Sequence, residues 1–161
     1  MQNHQRLQRL SDVLYWVALV LSVLLPIIVL VYAGQGVSDP ASLLSRAPLV
    51  PAGTPVTTTQ AGLVAAVALI SVLPMVAALR GMVRLFAAYR DGEVLSVGNA
   101  ETILRIGRNF LMVAAFTVLV PTLQVLILSW RAGQRMLFIG LDQGTLGFLL
   151  AAGLLTVTGS A

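Results

Sequence analysis

The sequence predicts an all-α integral membrane protein: four transmembrane helices in a bundle, with a cytoplasmic helix-turn-helix-like elbow between helices 2 and 3. Three observations carry this. Hydrophobic residues make up 58% of the 161 and charged residues only 10%, against about 25% charged in an ordinary soluble domain, and mean hydropathy is +0.92. The apolar residues fall in four long runs. Polar residues collect between the runs, and Arg80, Arg84, Arg90, Arg105 and Arg108 all fall in the single segment 80–109. One membrane domain, 1–161, accommodates the whole pattern.

The first run is VLYWVALVLSVLLPIIVLVYA, 13–33. Arg6 and Arg9 before it, and Val31-Tyr32-Ala33 at its end, give it the outline of a signal peptide. Its apolar core is about 20 residues, beyond the about 7–15 of a signal peptide, so an uncleaved anchor is expected. The outer loop 34–60 follows, with Pro40, Pro48, Pro51 and Pro55 and three glycines. That composition favours irregular chain. Within it, DPASLLSR (39–46) reads either as plain loop or as a short helix. In the helical reading Asp39 is the cap, Pro40 takes the first position, and Leu43 and Leu44 rest on the bilayer surface.

The second run is AGLVAAVALISVLPMVAAL, 61–79. Its helix is expected to continue through Arg80, Arg84 and Phe86 to Tyr89. Asp91-Gly92 stops it, because glycine tolerates the left-handed conformation that ends helices. Asn99 is the expected cap of the next helix. Glu101 and Arg105 stand i, i+4 in the favourable order, and Ile103, Ile106 and Phe110 share one face. Segment 80–109 is thus an elbow feeding the third run, FLMVAAFTVLVPTLQVLILSW, 110–130. Then comes the outer loop 131–143, whose RMLFIGLD suggests a short interfacial strand or hairpin. The fourth run, GTLGFLLAAGLLTVTGSA, covers 144–161. Its 18 residues reach roughly 27 Å at 1.5 Å each, barely enough for a hydrocarbon core of about 30 Å.

Arginine asymmetry orients the chain. Arg6, Arg9 and the five of segment 80–109 lie on one side, and Arg46, Arg131 and Arg135 on the other. The positive-inside rule then makes both termini and segment 80–109 cytoplasmic. Tyr15 and Trp16 would sit at the inner end of helix 1, Tyr32 at its outer end and Trp130 at the outer end of helix 3, as interfacial aromatics do.

No catalytic chemistry is legible. Cysteine is absent, which excludes disulfides, thiol nucleophiles and thiolate metal sites. His4 is the lone histidine, and a metal site needs several ligands at defined spacing. Asp91 and Glu93 flank a solvated turn. No phosphate loop or nucleophile motif occurs, so the expectation is a non-enzymatic protein without cofactors. The four runs carry no ionisable side chain, which argues against proton-coupled transport. Gln124 is the most polar side chain within a run; with Ser22, Ser71, Thr117 and Thr122 it suits interhelical hydrogen bonding at about 0.6 kcal/mol each. Pro26, Pro74 and Pro121 are expected to kink three helices at different depths. Small residues, among them the i, i+4 pair Gly147 and Ala151, allow close helix packing. Segment 80–109 has five arginines against Asp91, Glu93 and Glu101, a net +2. That suits lipid headgroups or a protein surface, and is too mixed for direct nucleic-acid binding. Arg84, Arg90, Arg105 and Arg108 are the candidate interaction or lipid-facing residues.

The residues Leu85-Phe86-x-x-Tyr89-x-x-Gly92-x-Val94, then Asn99-Ala100, then Leu104-Arg105-Ile106-Gly107 resemble the signature of domain-of-unknown-function family 2975, small bacterial inner-membrane proteins with four helices. Gly133-Gln134-Arg135, followed by an apolar-polar tract and the fourth run, is also similar. The resemblance covers most of the chain and implies an inner-membrane location. Two departures stand out: Leu95 occupies a position where the family often has Phe, and family members usually continue past the fourth helix into a cytoplasmic tail. The family implies no biochemical activity. Some members are encoded beside a small helix-turn-helix regulator, which associates them with regulation. Two function classes stay open: a regulatory or interaction protein using its elbow on a cytoplasmic partner, and an accessory subunit of a larger membrane complex. A transporter or channel component is the alternative.

Overall fold

The computed structural model describes residues 2–47, 50, 51, 53–92, 96–130 and 143–160. All regular structure among them is helical: α1 (Gln2–Ser38), α2 (Ser42–Arg46), α3 (Thr58–Arg90), α4 (Val97–Ser129) and α5 (Gln143–Ser160). Among the described residues three helices are long and apolar enough to cross a membrane, at Arg9–Ser38, Thr58–Arg90 and Val97–Ser129. α3 and α4 have 33 residues each, or roughly 50 Å at 1.5 Å per residue, so they outreach a hydrocarbon core of about 30 Å. The apolar runs therefore marked where the long helices lie and not where they end. α1 starts at Gln2 instead of 13 and passes through Gly34 and Gly36 to Ser38, five residues into the expected loop. α5 has 18 residues, and its described apolar stretch is Leu149–Thr158.

Helix ends follow local hydrogen bonding. α3 opens with a capping box: the Thr57 hydroxyl accepts from the Gln60 N–H at 3.3 Å, and Gln60 Oε1 accepts from the Thr57 N–H at 3.0 Å. Its other end matches the expected stop, with Asp91 at the C-cap and Gly92 at φ +87°. Residues 93–95, and with them the path of the elbow, lie outside the described residues. The cap of α4 is Ser96, not Asn99. Ser96 is extended and its hydroxyl accepts from the Asn99 N–H at 3.3 Å; the helix thus begins a turn early, and Asn99 is buried inside it. The reading of 39–46 also changes. α2 begins at Ser42 without a side-chain cap. Asp39 contributes its backbone carbonyl, which accepts from the Ser42 N–H and hydroxyl, and not its carboxylate. Leu43 is buried in the core with Leu44 packed against it, so this turn faces inward and not onto the bilayer. The predicted strand or hairpin at 131–143 falls on residues 131–142, outside the described ones, and on Gln143, the first residue of α5.

Neighbours in sequence are neighbours in space: α1 packs on α3, α3 on α4, and α4 on α5. α1 is buried along a stripe of Ser11, Ala18 and Ser22 at near-helical spacing, and again at Gly36, which faces Leu43 of α2. Its other faces carry exposed apolar side chains such as Val20, Leu24 and Val31, as expected where lipid is the solvent. The core is in two parts. Near α2, Leu43, Val50, Ala61, Val64, Val125 and Leu128 pack together. Toward the other end, Ala78, Leu85 and Ile106 form a second cluster with Tyr89, Phe110 and Leu155 against it. Here glycines set the approach: a Cβ on Gly81 would lie 2.7 Å from Ile106 Cγ1, and one on Gly107 3.1 Å from Thr156 Oγ1. Pro26, Pro74 and Pro121 lie inside α1, α3 and α4, each within four residues of a Ser or Thr hydroxyl that bonds back to a carbonyl.

Candidate functional site

The start of α1, the end of α3 and the start of α4 share one end of the molecule. The tie between the first two is Arg90. Its Nε lies 3.4 Å from Asp12 Oδ1, and its guanidinium carbon sits 5.8 Å from the centre of the Tyr15 ring. Tyr15 in turn meets Trp16 edge-on at 5.6 Å. Both partners of the ion pair are about half exposed, so the pair is worth at most about 1 kcal/mol, and the ring contact adds about 0.5–1. Arg90 thus serves inside the molecule, while Arg84, Arg105 and Arg108 are exposed and have no ion pair among the described residues. Glu101 and Arg105, expected to support one another, are both exposed and unpaired there. Beneath these arginines lies the second core cluster. Leu85, Tyr89, Ile106 and Gly107 of the family-like signature are packing residues of the α3–α4–α5 seam.

The opposite end holds a cavity of about 490 Å³. α3 supplies its floor through Ala61, Val64 and Ala68, α1 one wall through Val29 and Ala33, and α4 the other through Pro121 and Gln124. Leu43 and Ala47 lie over the end. Leu43 reaches there because Gly36 has no side chain: a Cβ at that position would stand 2.7 Å from Leu43 Cδ2. Gln124 is half-buried at this cavity. Nearby, Gln60 joins helices: while its Oε1 completes the cap of α3, its Nε2 donates to the Ile127 carbonyl at 2.8 Å. That carbonyl is among the last four of α4, which have no partner within their own helix.

Of the proposed packing pair on α5, Ala151 is half-buried, and Gly147 lies one turn before it. Among the described residues α5 also meets α4 closely where Leu155 and Thr156 face Gly107, and Ala152 is buried. Among the described residues no three His, Cys, Asp or Glu side chains converge as metal ligands would. Sequence reasoning passed over Asp12 and Gln60. The Thr57-x-x-Gln60 spacing before an apolar run is a capping-box signal and could have placed Gln60; nothing local links Asp12 to Arg90.

The described residues form a helical protein with three helices long and apolar enough to cross a membrane, an arginine-bearing end and, at the opposite end, an apolar cavity. No family model, curated protein or solved structure matches the chain.

Proposed function

We propose that this is a non-enzymatic multipass inner-membrane protein that works through protein contacts, using the arginine-bearing end of α3 and α4 to engage a cytoplasmic partner. The observation that carries the reading is a division of labour. Arg90 is engaged with Asp12 and Tyr15, whereas Arg84, Arg105 and Arg108 stand exposed and unpaired among the described residues. Guanidinium groups so presented suit bidentate contact with carboxylates, so the partner surface is acidic. The proposal includes four spans with α5 as the last, both termini and segment 80–109 in the cytoplasm, and kinship with domain-of-unknown-function family 2975 through the 85–107 residues.

The test is crosslinked capture from the protein's own membranes. Replacing Arg84, Arg105 and Arg108 together by Gln abolishes a specific soluble partner while insertion stays normal. Capture unchanged by the triple substitution sinks the reading. A second reading, an accessory subunit of a larger membrane assembly, is favoured by the exposed apolar flank of α1. It predicts a fixed set of co-purifying membrane proteins and a native mass far above one bundle.

A further inference from the structure

We infer that the cavity beside α2 is a lipid site, in which the Gln124 amide donates to an ester carbonyl of a membrane glycerophospholipid whose acyl chain lies between α1 and α4. This site is independent of the arginine-bearing end. Its shape comes from helix order. α1 and α4 flank α3 without an extensive interface of their own, which leaves a trough over α3. The α2 turn closes the trough at its end, with Leu43 seated on Gly36. Access is therefore sideways, from the hydrocarbon.

Two features select the occupant. The walls are overwhelmingly apolar, and an empty apolar void of this size forfeits packing energy along every lining side chain. Gln124 supplies the second feature. Its side chain lines the cavity, and it has no hydrogen-bond partner among the described residues. An amide left unsatisfied in hydrocarbon costs several kcal/mol. The fitting occupant is apolar along its length with one acceptor at its end. Gln124 stands six residues before Trp130, about 9 Å along the helix axis at 1.5 Å per residue. An interfacial Trp130 marks the headgroup level, and with an interfacial layer of about 5–8 Å on each side Gln124 stands at the edge of the hydrocarbon, within a side chain's reach of lipid ester carbonyls.

The experiment uses the full chain in phosphatidylcholine vesicles doped with an analogue bearing a diazirine in its acyl chain. Irradiation and peptide mapping count adducts per residue. Adducts on 61–68 and 121–128 are expected to exceed those on the exposed α1 flank at Val20, Leu24 and Val31 several-fold. Gln124→Leu lowers the cavity adducts about threefold, the size of one intramembrane hydrogen bond, and Ala68→Phe removes them. The α1 adducts stay constant in both variants and report normal insertion. Cavity adducts no denser than those of the α1 flank, or unmoved by both substitutions, overturn the proposal. So does efficient disulfide dimerisation of Gln124→Cys in a chain otherwise free of cysteine, which would assign the cavity to a second copy.

Discussion

Gln60 shows how one side chain joins two helices. Its carbonyl oxygen caps α3 and its amide nitrogen holds the Ile127 carbonyl of α4. Gln60→Glu keeps the capping box but sets an acceptor against an acceptor. The expected loss is about 1–3 kcal/mol, the cost of stranding a buried hydrogen-bonding group, read as a lower midpoint of unfolding in mixed micelles by circular dichroism. An unchanged midpoint shows that the interhelical bond contributes nothing. Arg90 belongs to the same scale with a smaller effect. A double-mutant cycle of Arg90→Gln with Asp12→Asn should give a coupling under about 1 kcal/mol, because both groups are half in solvent; a larger coupling means that the pair is shielded in the membrane interface. Exposed Arg84, Arg105 and Arg108 were legible as a group from composition alone. The withdrawal of Arg90 from that group was not, since its partners Asp12 and Tyr15 belong to another helix.

At the scale of the elements, hydropathy revealed the three long helices because lipid demands unbroken apolar runs of about 20 residues. It did not reveal where they end, because polar helix-formers such as those of 2–12 extend a helix without extending its apolar run. Capping was half legible. The Asp91-Gly92 stop followed from glycine's freedom at positive φ, and Gly92 is at +87°. Between Ser96 and Asn99, both competent caps, local sequence could not choose. Close approach of helices offers the sharper test. Gly81→Ala puts a methyl 2.7 Å from Ile106 Cγ1 and should cost about 1–3 kcal/mol by overpacking. Ile106→Ala alone should cost about 2–5 kcal/mol through its cavity. The double variant should fall well short of the sum, because the new methyl occupies space that Ile106 vacated. Strict additivity in detergent unfolding would mean that α3 and α4 do not meet at this pair.

At the scale of the molecule, Arg80, Arg84, Arg90, Arg105 and Arg108 gather at one end and the cavity lies at the other. The arginine asymmetry was visible along the sequence. The cavity was not, since its floor, walls and roof come from residues 29 to 128, and only packing brings them together. The family-like signature at 85–107 changes meaning in three dimensions: its Leu85, Tyr89, Ile106 and Gly107 build the seam that carries the exposed arginines, so they support a surface and do not form it. All of this serves the proposed function only if the arginine-bearing end is in the cytoplasm. Single-cysteine labelling in sealed membrane vesicles of known sidedness decides that directly, because the chain has no cysteine of its own. Cysteines replacing Arg84 and Arg108 should resist an impermeant maleimide from the outer side and react after permeabilisation, while one replacing Ser45 should react at once. The reverse pattern, Arg84 and Arg108 positions labelled from outside and the Ser45 position protected, would contradict the account.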